Sequence, residues 1–317
     1  MRSRPARLMA VVGALGLLAA ASAAALPQTS APRPFRNGTY EASGVVEVPG
    51  AGGVLFVDDG RPKHVFWMGV SADGDTSAVV PVPIGAQVPD MEDIAFDGRY
   101  YYVVGSQSQG GGRQADGLVR FTFDASTRAV DQVERVTGLR QLLAAALPGL
   151  TGGRRQDGLN IEGLTWDAAG ARLLLGLRGP MAGSDAVIVP IAIRDRMAPL
   201  SGEALTVGTP IELPLQGRAI RGLGYDADRR IVLVLGGAST NGPGVPFVLY
   251  EWDPRAPAGP RPVATFPREQ KPEGVTRLHV GGRVRTLVVF DSSGVALLDQ
   301  GAGAPAGRTG YNPSQTR

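Results

Sequence analysis

Three glutamates recur in one local setting. Glu92 stands in Asp90-Met91-Glu92-Asp93-Ile94-Ala95-Phe96-Asp97, Glu162 in Asn160-Ile161-Glu162-Gly163-Leu164-Thr165-Trp166-Asp167, and Glu273 in Lys271-Pro272-Glu273-Gly274-Val275-Thr276. Each opens a short apolar run, and a second apolar run follows, at 100–106, 172–177 and 286–292. Ile220-Arg221-Gly222-Leu223-Gly224-Tyr225-Asp226 repeats the pattern with Arg in place of Glu, and Ala42-Ser43-Gly44-Val45-Val46 is a degenerate first copy. Carboxylates brought together raise one another's pKa unless a cation neutralises them. Three roles are open. The glutamates could bond backbone N–H groups of the neighbouring unit and lock a ring. They could hold Ca²⁺ through oxygen ligands, with Glu92, Glu162 and Glu273 as the metal set. They could also supply a general acid and base of unlike pKa for hydrolysis. Arg178 and Arg221 are the cations placed to balance them.

Other chemistry is poorly supplied. The chain has no Cys, so disulfides, thiolate nucleophiles and thiolate metal sites are excluded; His64 and His279, its two histidines, do not make a multi-histidine metal site. No Gly-x-Ser-x-Gly elbow occurs. Ser106 and Ser108 sit in a Gly-Ser-Gln-Ser-Gln-Gly stretch with no histidine near in sequence, and only His64 could approach them through the fold. Gly110-Gly111-Gly112 lacks the Lys-Ser/Thr and the strand–helix context of a phosphate loop.

Five copies spaced about 50–70 residues apart are a repeat signature. Short runs rich in Val, Leu, Phe and Tyr, bounded by Gly, Asp and Pro, read as strands. They fall into four-stranded units at 44–48, 54–58, 64–70 and 77–82; 94–96, 100–106, 118–124 and 129–136; 164–166, 172–177, 186–193 and 205–213; 223–225, 231–235, 247–252 and 262–266; and 275–280, 285–290 and 295–298. The expected fold class is all-β: a β-propeller of four-stranded blades. Five blades are counted, and a sixth could hide in the weak first repeat or the long third one. The last unit lacks an outer strand, which residues 37–40 could supply. Leu139, Leu142, Leu143 and Leu147 fall at helical spacing and Pro148-Gly149 stops them, so one short helix is inserted between blades two and three, as a cap over a core edge or a lid. Trp67, Trp166 and Trp252 lie in strands among apolar residues and read as core.

Propeller geometry gathers the scattered polar residues. Glu92, Asp93, Glu162, Arg221 and Glu273 begin innermost strands, while Asp58, Asp59, Gln107, Arg178, Asp185, Asn241 and Asp291 lie at the loops between second and third strands. All are expected at one mouth of the central channel. Convergent polar groups in a pocket are a default binding site, here for a small-molecule or protein ligand.

The 317 residues suit one repeat-built domain, with 43% hydrophobic and 19% charged residues, 45 Gly and 25 Pro. Net charge is +3, carried almost wholly by Arg, with Lys63 and Lys271 the lysines; the charges are interspersed, which argues against nucleic acid. Arg2, Arg4 and Arg7, the apolar run 11–21 and the small residues at 21–25 read as a signal peptide over 1–25. A Pro-rich leader (26–36), the propeller (37–299) and a flexible tail (300–317) follow. The expected product is an exported monomer, periplasmic or extracellular, free of the membrane after cleavage. Asn37-Gly38-Thr39 is a glycosylation sequon that would matter only in a eukaryotic secretory pathway.

With Glu-Gly-Leu-Thr-Trp-Asp (162–167), Leu-Leu-Leu-Gly-Leu-Arg-Gly-Pro (173–180) and Lys-Pro-Glu-Gly-Val-Thr (271–276), the chain resembles a family of uncharacterised exported bacterial proteins. That family neighbours the phytase-like propellers labelled "esterase-like activity of phytase". The resemblance runs from about Ala42 to Gly294, with Glu162, Gly163, Arg178, Glu273 and Gly274 matching best. It implies a propeller and hydrolysis of a phosphate or carboxylate ester. Arg221-Gly222 departs from the Glu-Gly pattern.

Overall fold

Apolar runs of three to eleven residues, broken at Gly, Asp and Pro, form antiparallel meanders in the computed structural model. The structure describes residues 31–110, 113–114, 117–151, 158–240, 245–292 and 294–299. The expected signal peptide, the first five residues of the leader (26–30) and the tail lie outside these residues.

Blade one runs Ala42–Val48, Gly53–Asp58, His64–Gly69 and Val80–Pro83, innermost first; blade two runs Met91–Phe96, Tyr101–Gly105, Leu118–Asp124 and Ala129–Val136. Blade three has Asn160–Asp167, Arg172–Ala182 and Asp185–Ile193, with its outer edge split into Leu205–Val207 and Ile211–Leu213. Blade four follows as Ala219–Asp226, Ile231–Gly237, Phe247–Trp252 and Arg261–Phe266, and blade five as Pro272–Val280, Arg283–Phe290 and Gly294–Leu298. The protein is a five-bladed β-propeller. The long third repeat holds that divided edge strand, not a sixth blade.

Each pair of neighbouring blades shares an apolar layer. Phe56 and Met68 of blade one meet Leu278 and Leu287 of blade five; Leu55 and Trp67 meet Ile94 and Phe121 of blade two. Tyr102 and Trp166 join blades two and three, Ile188 and Trp252 join three and four, and Phe266 and Val288 join four and five. All three tryptophans are buried core residues. The inserted helix, Leu139–Ala146, buries Leu139 and Leu143 in the layer between blades two and three, so it caps that layer.

Ring closure differs from expectation. The outer edge of blade five is met by Arg33, whose N–H and C=O exchange 2.8 Å bonds with Val295. Pro32 and Pro34 have no N–H to give, which confines this pairing to one residue. Residues 37–40 serve blade one instead: the Asn37 amide donates to the Val79 carbonyl at 2.8 Å and accepts from the Val79 N–H at 2.7 Å. Phe35 and Tyr40 pack with Phe56 and Phe66. The propeller's contacts thus begin inside the segment read as leader.

Candidate functional site

The five inner strands begin alike. In blade one Ala42 faces Asp58 and Gly44 faces Val57, so Ser43 is an extra, unpaired residue. Glu92, Glu162, Arg221 and Glu273 are the extra residues of the other four inner strands. A bulge of this kind bends a strand and re-aims a side chain. Repeated around the axis, it sets all five bulged residues into one cavity of about 650 Å³.

The residue after each bulge explains the glycines. A Cβ on Gly222 would overlap the Glu273 carbonyl, one on Gly274 would come 2.8 Å from the Cα of Gly44, and one on Gly44 would overlap the Asp93 carboxylate. Five strands meeting at one axis leave room there for a single side chain, and blade two supplies it. Asp93 is fully buried. Its Oδ2 accepts from the N–H groups of Leu164 (2.7 Å) and Leu223 (3.1 Å), and its Oδ1 accepts from Ile94 (2.8 Å). Asp93 therefore ties blades two, three and four together at the axis, one residue on from the funnel that the bulged residues line. The backbone lock foreseen for the glutamates belongs to this aspartate.

The glutamates are paired by arginine. Glu162 lies 2.6 Å from Arg178 and 2.8 Å from Arg221, and Arg221 also grips both oxygens of Glu273. Burial works against the Arg221 cation, but Glu162 and Glu273 hold its pKa above the ordinary value. Burial pushes Glu273 up to about 7 even against Arg221. Among the described residues Glu92 has no cation within ion-pair distance, and burial, then the charges of Glu162, Asp90 and Glu273, hold it well above the usual carboxylate range. With the Arg221 guanidinium between Glu162 and Glu273, the three glutamates do not converge as a Ca²⁺ ligand set. Among the described residues the carboxylates close enough to share one ion are Glu41, Asp58 and Asp59, within 4.8 Å of one another.

Asp59, Arg178 and Asp291 join the four charged bulge residues in the funnel, as expected. Asp291 is ion-paired with Lys271 at 2.8 Å; burial opposes its charge, but Lys271 and Ser292 hold its pKa below the ordinary value. Four expected residues fall elsewhere. Asp93 is at the axis. Asp58 is buried beside the funnel, accepting from the N–H groups of Glu41 and Gly60. Gln107 is buried with its amide on the Gly105 and Gly117 carbonyls. Asp185 opens the third strand of blade three, away from the cavity. Asn241 lies outside the described residues. The inserted helix contributes no residue to the lining among the described residues.

Sequence reasoning missed Glu41, Asp90, Asn160 and Lys271, all of which line the funnel. A signal was present: each stands two positions before a bulged residue, and period-two alternation on a strand brings such pairs to one face. Arg268 reaches the rim from the 3₁₀ turn Arg268–Gln270.

No curated protein matches the chain in sequence. Solved structures similar to it include glutaminyl cyclase of Myxococcus xanthus (10% identity, 86% of this chain and 97% of that one, TM-score 0.46). The PQQ domain of pyranose dehydrogenase from Coprinopsis cinerea matches at 12% identity over 85% and 97%, TM-score 0.48. The soluble aldose sugar dehydrogenase of Escherichia coli matches at 12% over 84% and 97%, TM-score 0.44. At such identities and scores these likenesses say nothing about activity. The model described as "Protein of unknown function (DUF3616)" matches residues 141–302, half of the sequence and three of the five charged or polar bulges, and the chain belongs to that family.

Proposed function

We propose that the protein is a small-molecule binding module whose ligand sits in the funnel. The cavity that the bulged residues line carries this reading. Its volume of about 650 Å³ falls within the usual range for small-molecule sites, and its walls converge charged groups that a propeller does not need for packing. Buried ionic networks such as Glu162–Arg178–Arg221–Glu273 contribute little net stability against an apolar alternative, which favours a functional reason for them. Ala238 lines the wall without taking part in the network, so Ala238→Trp blocks the funnel and leaves the charges alone. A polar-metabolite screen by thermal shift should find ligands that raise the Tm of the wild type in proportion to concentration and leave Ala238→Trp unmoved. Equal shifts in both proteins would place binding elsewhere and end this reading.

A second reading keeps the ester-hydrolase side of the family resemblance. Glu273, pushed up to about 7, and Glu92, held well above the usual carboxylate range, are carboxyls of the raised kind from which acid–base hydrolysis draws its proton donor, and Arg178 would orient an anionic ester group. It expects turnover of a phosphate or carboxylate ester that Arg178→Ala abolishes while the fold survives. The signal-like N-terminus makes the protein, in this reading, an exported one; N-terminal sequencing of the product from an exporting host tests the cleavage.

A further inference from the structure

We propose that the funnel selects a small organic cation, a polar molecule with two or more amine or guanidine nitrogens, and seats it along the wall built by blades one and two. The inference rests on the funnel being a ligand site and adds the class of ligand.

The funnel's charge is divided between its walls. On the side of blades three to five every lining carboxylate has a cation: Glu162 has Arg178 and Arg221, Glu273 has Arg221, and Asp291 has Lys271. On the side of blades one and two stand Glu41, Asp59, Asp90 and Glu92, and none of the four has a cationic partner within ion-pair distance among the described residues. They descend from exposed Glu41, through half-buried Asp59 and Asp90, to Glu92 in the bulge ring.

The unfilled hydrogen-bonding capacity is of one kind. Among the described funnel residues the enclosed polar atoms with neither a hydrogen bond nor an ion pair are Asp59 Oδ1 and Asn160 Oδ1, both acceptors. The Asn160 amide is oriented by its own Nδ2 donating to Glu162 at 3.2 Å. Enclosed acceptors without donors are costly, and a donor-rich ligand would satisfy them.

Extent distinguishes an organic cation from a bare metal ion. Glu41, Asp58 and Asp59 could surround one ion, but Asp58 already accepts two backbone N–H bonds, and Asp90 and Glu92 fall outside that group. The wall is a row of acceptors in a cavity far larger than an ion, which matches spaced nitrogens.

The test is isothermal titration of the purified protein at constant pH and ionic strength with spermidine, agmatine and arginine amide. Calcium chloride, myo-inositol and inositol hexakisphosphate are the other arms. At least one organic cation should bind, with affinity reduced about ten-fold or more in Asp59→Asn and in Glu92→Gln and lost in Ala238→Trp, each variant first shown to unfold cooperatively. Three results overturn the proposal: none of the organic cations binds, calcium alone binds, or affinity ignores both carboxylate substitutions. Binding of the polyol or the polyphosphate that Ala238→Trp blocks would refute the cation and leave the funnel standing as a site. Binding that Ala238→Trp does not affect would refute both.

Discussion

Arg221 stands where four other blades put Ser or Glu, and it is 11% exposed between Glu162 and Glu273. Its removal leaves two buried carboxylates facing each other with only Arg178 nearby. Breaking a buried pair typically costs about 3–5 kcal/mol, but protonating the carboxylates relieves part of that. Arg221→Met should therefore lose more stability in urea denaturation at pH 8 than at pH 5; equal losses would mean the side chain acts by packing alone. Asp59 offers the complementary case. Burial, followed by its hydrogen bond to Glu41, raises it from 3.8 to about 7. A carboxyl raised in the folded state binds more protons there than when unfolded, so its contribution to stability falls as pH rises from about 4 to 7. Asp59→Asn should flatten that part of the Tm–pH curve and be the more stable protein above pH 7; an unchanged slope would remove Asp59 as its source. The repeated Glu-Gly and Arg-Gly pairs made the bulge residues legible in the sequence. The partners were not, because Glu41, Asp90 and Lys271 owe their place to alternation across a bulge whose existence only pairing reveals.

At the scale of the strand, the bulge and the small residue after it act together. The bulge turns residue 43, 92, 162, 221 or 273 into the funnel, and the next residue must then pass the axis. Gly222→Ala would press a methyl group into the Glu273 backbone, where neither strand can yield without parting blades four and five. Overpacking a tight interior costs about 1–3 kcal/mol, occasionally more, and this site belongs at the upper end. Asp93→Ala would leave the Leu164 and Leu223 N–H groups without their acceptor, at about 1–3 kcal/mol for each such group. Urea denaturation of both variants checks these figures, and a loss under 1 kcal/mol in either would mean that the axis relaxes more than its packing suggests. Strand order and blade count were readable, because each apolar run is bounded by its own turn residues. The split outer edge of blade three and the single-residue closure at Arg33 were not. Both depend on which edge is left open once the ring has formed, and no local run of sequence carries that information.

For the whole molecule, the critical seam is the one between blades five and one, where the chain's two ends of the ring meet. Arg33 bonds Val295 on its outer side, and the Tyr40 carbonyl accepts from Ser292 N–H at 3.1 Å. On the face away from the funnel a second clasp crosses the same seam. Glu47 of blade one accepts from the His279 backbone N–H at 2.6 Å and lies 2.9 Å from its ring Nδ1, while Asp228, in the turn of blade four, lies 2.9 Å from Nε2. Burial lowers the His279 pKa somewhat, but Glu47 and Asp228 raise it more, so the folded-state value exceeds the ordinary 6.5. A histidine so raised contributes stability in full below pH 6.5, and that contribution is lost as pH climbs through the raised value. The ring is 47% exposed, so solvent screening keeps the effect small. The wild type should nonetheless lose Tm relative to His279→Gln between about pH 6 and 8. High salt should narrow the difference, because exposed pairs are screened. The funnel carboxylates titrate alike in both proteins, so the difference between the two curves isolates the seam. Parallel curves would mean that the clasp is held by the backbone bond to Glu47 and that closure of the ring does not depend on the histidine's charge.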